Sequence, residues 1–175
     1  MKKETVGVEI ERKFIIKKPY LPELSKREGY TKSEILQIYL PAPKGETHRI
    51  RSRSYGKSTV YIETKKRRID PMSVIETERE IDEAEFTALS QNIKRGTRPI
   101  HKFRHTFPYK DHVFEIDIYP EWRDTCIMEV ELEKRDTPVD LPPFIKIIKE
   151  VTGGKNYSNA AMSRSFPREE SESQT

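Results

Sequence analysis

Charged residues in this chain recur at every second position over run after run, and each run is dominated by one sign. In an extended strand, residues i, i+2 and i+4 share a face. Glu9, Glu11 and Lys13 therefore oppose Val8, Ile10 and Phe14. Arg49, Arg51 and Arg53 oppose Ile50, and Glu63, Lys65 and Arg67 oppose Ile62 and Thr64. Glu76, Glu78 and Glu80 oppose Ile75, Thr77 and Ile81; Lys102 and Arg104 oppose Phe103. Glu115 and Asp117 oppose Phe114, Ile116 and Ile118, while Glu129, Glu131 and Glu133 oppose Met128, Val130 and Leu132. A solvated sheet face is normally diluted with Ser, Thr, Asn and Gln. Faces of nearly pure charge, arginine on one strand and glutamate on the next, point instead to rows that converge on one another. Closing the strands into a barrel with these faces inward achieves that.

Composition limits the alternatives. Charged residues make up 35% of the 175 and the net charge is only +4, so self-repulsion does not force disorder. Leu, Ile, Val and Phe number 40, enough for one domain's core, and isoleucine outnumbers leucine 18 to 7, a bias toward strands. No apolar run approaches the roughly 20 residues of a membrane helix, and Met1 to Lys13 lacks the apolar block of a secretory signal. The single cysteine, Cys126, forbids an internal disulfide and fits a reducing, cytoplasmic setting.

Strands are expected over 6–16, 34–40, 47–54, 58–67, 74–81, 99–108, 112–119 and 126–134, separated by turn signals such as Tyr55-Gly56-Lys57 and Lys110-Asp111. Asp82 and Glu85 form a capping box ahead of a helix through Phe86, Leu89 and Ile93 that stops at Gly96. Pro142-Pro143 opens a second helix, with Phe144, Ile147, Ile148 and Val151 on one face, and Asn159 to Ser165 makes a short helical turn. The expected fold is mainly β, a closed eight-stranded antiparallel barrel with a charged interior and a few covering helices. One domain spans 1–166, and Pro167 to Thr175 reads as an unstructured tail. Apolar strand faces left uncovered would serve a homodimer contact.

Glu9-x-Glu11-x-Lys13 resembles the ExExK signature of the CYTH superfamily, the triphosphate tunnel metalloenzymes. Further elements match in order: Arg49-x-Arg51, Lys65, Glu76-x-Glu78, Lys102-x-Arg104, Glu115-x-Asp117 and Glu129-x-Glu131, with a closing segment Lys155 to Ala160. The resemblance implies an eight-stranded tunnel that binds triphosphate with a divalent cation, Mg²⁺ or Mn²⁺. It places Glu9, Glu11, Glu129 and Glu131 as metal ligands and Lys13, Arg49, Arg51, Lys65, Lys102 and Arg104 against phosphates. Glu9, Glu11 and Lys13 are the catalytic candidates, and Glu76, Glu78 and Asp117 are further acidic tunnel positions. Glu63, two residues before Lys65 on the same expected face, departs from the pattern.

The implied activity is metal-dependent hydrolysis of inorganic triphosphate or a related small-molecule triphosphate. The alternatives are a class IV-type adenylyl cyclase and a non-catalytic polyphosphate- or RNA-binding module. Paired glutamates weigh against the module, because a pure anion binder gains nothing from acidic rows; neither nucleic acid nor membrane is expected as a partner. Gly56-Lys57-Ser58 lacks the earlier glycine of a phosphate-binding loop and reads as a hairpin turn. The four histidines show no paired zinc spacing on strands.

Overall fold

A computed structural model describes residues 4–170. The antiparallel pattern follows the alternation: β1 (Glu4–Lys17), β2 (Thr31–Leu40), β3 (Glu46–Tyr55), β4 (Ser58–Arg68), β5 (Ser73–Ile81), β6 (Ile100–Tyr109), β7 (His112–Ile118) and β8 (Thr125–Glu131). Around the ring the order is β1-β5-β4-β3-β2-β6-β7-β8 and back to β1. Closure depends on the length of β1. Its first half, Glu4 to Ile10, pairs with β5, and its second half, Glu11 to Lys17, pairs with β8. The closed eight-stranded barrel expected from the charge rows is the observed fold.

Among the described residues three short helices cover it: α1 (Leu21–Leu24), α2 (Glu83–Ser90) and α3 (Asn159–Met162). The α2 start forms as its capping residues dictate, with Asp82 Oδ1 accepting from the Glu85 backbone N–H at 2.8 Å. Among the described residues no helix is long and apolar enough to cross a membrane.

The apolar faces point outward and are buried in two places. Phe14, Ile16, Phe107, Phe114, Ile116, Met128 and Val130 pack beneath Leu24 and Ile145, and Ile38, Leu40, Ile50 and Ile81 pack with Phe86 and Leu89 of α2. A third cluster, Ile15, Tyr39, Ile100, Tyr119 and Ile127, continues the inward-facing rows and joins Trp122, Val151 and Met162. It fills the interior next to the charged residues, at the end where β1 finishes.

The segment after Pro142 departs from the expected helix. Ile147–Glu150 forms a ninth strand, β9, on the edge of β1 that β5 leaves unpaired, with Lys17 N–H donating to Lys146 O at 2.9 Å and Val151 N–H to Lys13 O at 2.8 Å. Satisfying that open edge outweighs a helical spacing of apolar residues. The helix begun at Asp82 ends at Ser90, short of Gly96.

Within the expected tail, Pro167 to Glu170 are held. Trp122 Nε1 donates to Pro167 O at 3.0 Å, the Glu169 carboxylate accepts from the backbone N–H groups of Arg123, Asp124 and Thr125, and Tyr157 Oη donates to Glu170 at 2.5 Å. The remainder of that tail, 171–175, lies outside the described residues.

Candidate functional site

The inward faces enclose a cavity of about 1400 Å³ lined by side chains from all eight barrel strands. Register fixes which residues share it. Gly56-Lys57 is a two-residue hairpin loop, with Gly56 at φ +60°, a backbone region that glycine enters without strain. That loop pairs Tyr55 with Ser58 and hence Arg51 with Ile62 and Arg49 with Thr64. Arg49, Arg51 and Arg53 of β3 therefore share the inner face with Ile62, Thr64, Lys66 and Arg68 of β4.

This corrects the expectation for β4. Lys65 lies on the outer face and is exposed, and Lys66 takes the inner position, where its ammonium contacts both Glu9 and Glu76, the latter at 2.5 Å. Glu63 is also on the outer side, bonded to His48 at 2.6 Å and to Arg79. Its apparent departure from the family pattern disappears once the strand is turned over. The turn at Tyr55-Gly56-Lys57 held the information needed to find Lys66, because loop length sets register.

The other expected positions converge. Glu9, Glu11 and Lys13 of β1, Arg49 and Arg51 of β3, Glu76 and Glu78 of β5, Lys102 and Arg104 of β6, and Glu129 and Glu131 of β8 all line the cavity. Asp117 lies behind it. Its side chain is 1% exposed and anchors Lys102 Nζ at 2.5 Å, with Arg104 Nε and Nη2 both at 2.7 Å. Two buried cations on one carboxylate, in bidentate contact with the arginine, hold the Asp117 carboxyl well below its usual range against the cost of burial.

Beside this group, Lys13 Nζ meets Glu129 at 2.8 Å and Glu11 at 3.2 Å, and Arg104 reaches Glu129 at 3.2 Å and Glu115. Burial pushes the Glu129 carboxyl up, but Lys13, Arg104 and Lys102 outweigh it and hold it down at about 2. Burial lowers Lys102 to about 8, with Arg104 reinforcing the shift and Asp117 opposing it. Glu11 and Glu131 face one another across β1 and β8 and are both shifted up. For Glu11 the causes are burial and then Glu129; for Glu131 they are burial and then Glu9, Glu115 and Glu76. Carboxylates are thus crowded together here beyond what the nearby lysines neutralise.

The β3 wall is held more loosely. Arg49 approaches Glu76 at 3.8 Å, Glu78 at 4.0 Å and Gln37 Oε1 at 3.4 Å, while Arg51 approaches Glu78 at 3.4 Å. The Nε groups of both arginines are buried without a hydrogen-bond partner among the described residues. Burial, reinforced by neighbouring Arg49, lowers Arg51 to about 10. Gln37 and Tyr39 at the base of this wall were not singled out from the sequence. Gln37, fully buried, donates from Nε2 to Tyr39 Oη at 2.7 Å and so fixes its own carbonyl toward Arg49. Nothing in a run of apolar residues marks one buried glutamine as an arginine support.

A closed antiparallel barrel lined by rows of arginine, lysine and glutamate is the architecture of the CYTH superfamily, and the resemblance read from the motifs holds across the fold. The inorganic triphosphatase NE1496 is similar at 27% identity over 91% of this chain and 97% of that one, with a TM-score of 0.59. The PH1819 protein of Pyrococcus horikoshii OT3 shares the fold at 20% identity, over 73% of this chain and 80% of its own, with a TM-score of 0.56. HpAC1 from Hippeastrum, described as an adenylyl cyclase candidate with a dominant triphosphatase activity, shares it at 15% identity. It covers 72% of this chain and 80% of its own, with a TM-score of 0.51. No family model and no curated protein matches the chain.

Proposed function

We propose that the tunnel binds a linear inorganic triphosphate and hydrolyses its terminal phosphoryl group with a divalent cation. The observation that carries this reading is the β3 wall. Arg49 and Arg51 are largely but not fully buried, with Nε groups that are buried and find no acceptor among the described residues, and they face a second wall already rich in paired charge. A buried guanidinium with an unused N–H is costly unless an anion completes it, and phosphate oxygens fit that fork bidentately. The likeness to the triphosphatase NE1496 along nearly the whole of both chains supports the same substrate class.

The cation follows from the acidic residues. Glu9, Glu11, Glu129 and Glu131 offer only carboxylate oxygens, the donor type suited to Mg²⁺ or Mn²⁺. The raised Glu11 and Glu131 carboxyls mark a surplus of negative charge that such an ion would relieve. Among the described residues no three of them are already gathered as a ligand set, because Lys66 stands on Glu9 and Lys13 on Glu11 and Glu129. When bound, a divalent ion neutralises phosphate oxygens and acidifies a water.

Incoming triphosphate gives Lys13 and Lys66 an alternative set of anions, freeing glutamates as the phosphates settle. Arg49 and Arg51 hold the chain extended, and Lys102 and Arg104, fixed by Asp117, sit against it from the opposite wall. A water oxygen adds to the terminal phosphorus as the bridging P–O bond breaks; the water gives up a proton to solvent, and diphosphate leaves with the bond's electron pair. The lysine and arginine rows stabilise the charge that develops on it.

The test is incubation with tripolyphosphate, ATP and thiamine triphosphate under Mg²⁺ or Mn²⁺. Orthophosphate release from tripolyphosphate is expected, falling at least about 100-fold in Glu11→Gln with an unchanged melting temperature. Cyclic AMP from ATP, or binding of tripolyphosphate without turnover, contradicts the reading in favour of a cyclase or a binding module.

A further inference from the structure

The inner face of β3 does not stop at Arg49. Two residues earlier Thr47 faces the same way, about 7 Å further along the strand, and it lines the cavity together with Ser158, Asn159 and Arg164 of the C-terminal segment. These four groups can all present donors inward. Asn159 Oδ1 accepts from the buried Tyr119 Oη at 2.8 Å, which turns the amide so that its NH₂ is the free edge. Ser158 Oγ accepts from the Ala161 backbone N–H at 3.1 Å, leaving its own hydrogen free to donate. The Arg164 guanidinium has no hydrogen-bond or ion-pair partner among the described residues, whereas Lys13, Lys66, Lys102 and Arg104, which also line the tunnel, each contact a carboxylate.

We infer that Thr47, Ser158, Asn159 and Arg164 form a further phosphoryl subsite, one step beyond Arg49 along the tunnel. It takes either the fourth phosphoryl group of a longer linear polyphosphate or free orthophosphate. The inference rests on the triphosphate reading above, and it adds a selectivity for chain length that the central rows alone do not supply. Arg164 is an exposed residue, so its replacement leaves the barrel core untouched.

The test is calorimetric titration of the wild-type protein, Arg164→Gln and Thr47→Val with tripolyphosphate, tetrapolyphosphate and orthophosphate, with melting temperatures as a check on folding. Tetrapolyphosphate is expected to bind wild type about tenfold more tightly than tripolyphosphate, and the ratio is expected to fall toward one in both variants. If orthophosphate is the occupant, it binds wild type alongside tripolyphosphate and loses that binding in Arg164→Gln. Equal affinity for the two chains in wild type, with no orthophosphate binding beside tripolyphosphate, overturns the subsite. Failure of wild type to bind tripolyphosphate at all instead overturns the reading on which it rests.

Discussion

The two long walls of the tunnel carry similar charge but hold it differently. On the β6-β7-β8 side, Asp117, Lys102, Arg104, Glu129 and Lys13 are joined at 2.5 to 3.2 Å in one continuous network. On the β3 side, Arg49 and Arg51 reach their carboxylates only at 3.4 to 4.0 Å and keep unpartnered Nε groups. In the first wall these five groups are paired with one another and act as a rigid support. The second has unused donors, and that is where an anion gains most. Charge density alone does not locate a binding surface; unsatisfied charge does.

Breaking the locked wall is expected to have the largest effect. Asp117→Asn removes the carboxylate that compensates two buried cations, so unfolding by denaturant is expected to show a loss of about 3–5 kcal/mol. A loss under about 1 kcal/mol means that Lys102 and Arg104 are not bound as described. Arg51→Ala, on the open wall, is expected to leave stability nearly unchanged while raising KM for tripolyphosphate about 10- to 100-fold, or roughly 1.4–2.7 kcal/mol. Unchanged kinetics there removes Arg51 from the phosphate set.

The neighbouring lysines of β4 sharpen the contrast between inside and outside. Lys66→Ala is expected to weaken tripolyphosphate binding about tenfold and Lys65→Ala not at all, measured by the same titration. The reverse ranking means the strand is the other way out. The smallest effect is on pH dependence. Lys102, lowered to about 8, is charged below that pH and neutral above it. Tripolyphosphate affinity is therefore expected to decline a few-fold as pH rises from 7 to 9, and Lys102→Met is expected to lose that decline. An identical pH profile in the variant dissociates Lys102 from binding.

Much of this was legible in the sequence because period-2 charge is a direct statement about faces. On β1, β3, β5, β6 and β8 the alternation assigned the inward residues as the structure has them. It failed on β4, where Glu63, Lys65 and Arg67 form as regular a charged row as Ile62, Thr64, Lys66 and Arg68 interrupt. Where both rows of a strand carry charge, alternation gives two faces and no way to choose between them; only pairing with β3 through the Gly56-Lys57 loop does so. The β9 segment was misread for a related reason, since its structure is set by an open strand edge some 130 residues earlier in the chain. The held tail depends likewise on backbone N–H groups at Arg123 to Thr125 that no local pattern reveals. Gln37 became visible only as a partner of Tyr39 and Arg49.

The most direct test of the account is a crystal structure with tripolyphosphate and a non-hydrolysing divalent ion such as Ca²⁺. The account predicts phosphate oxygens at about 3 Å from Arg49 and Arg51, inside the barrel, with Lys66 drawn off Glu9. Tripolyphosphate seated instead on the outer face, against Lys65 and Arg67, contradicts it.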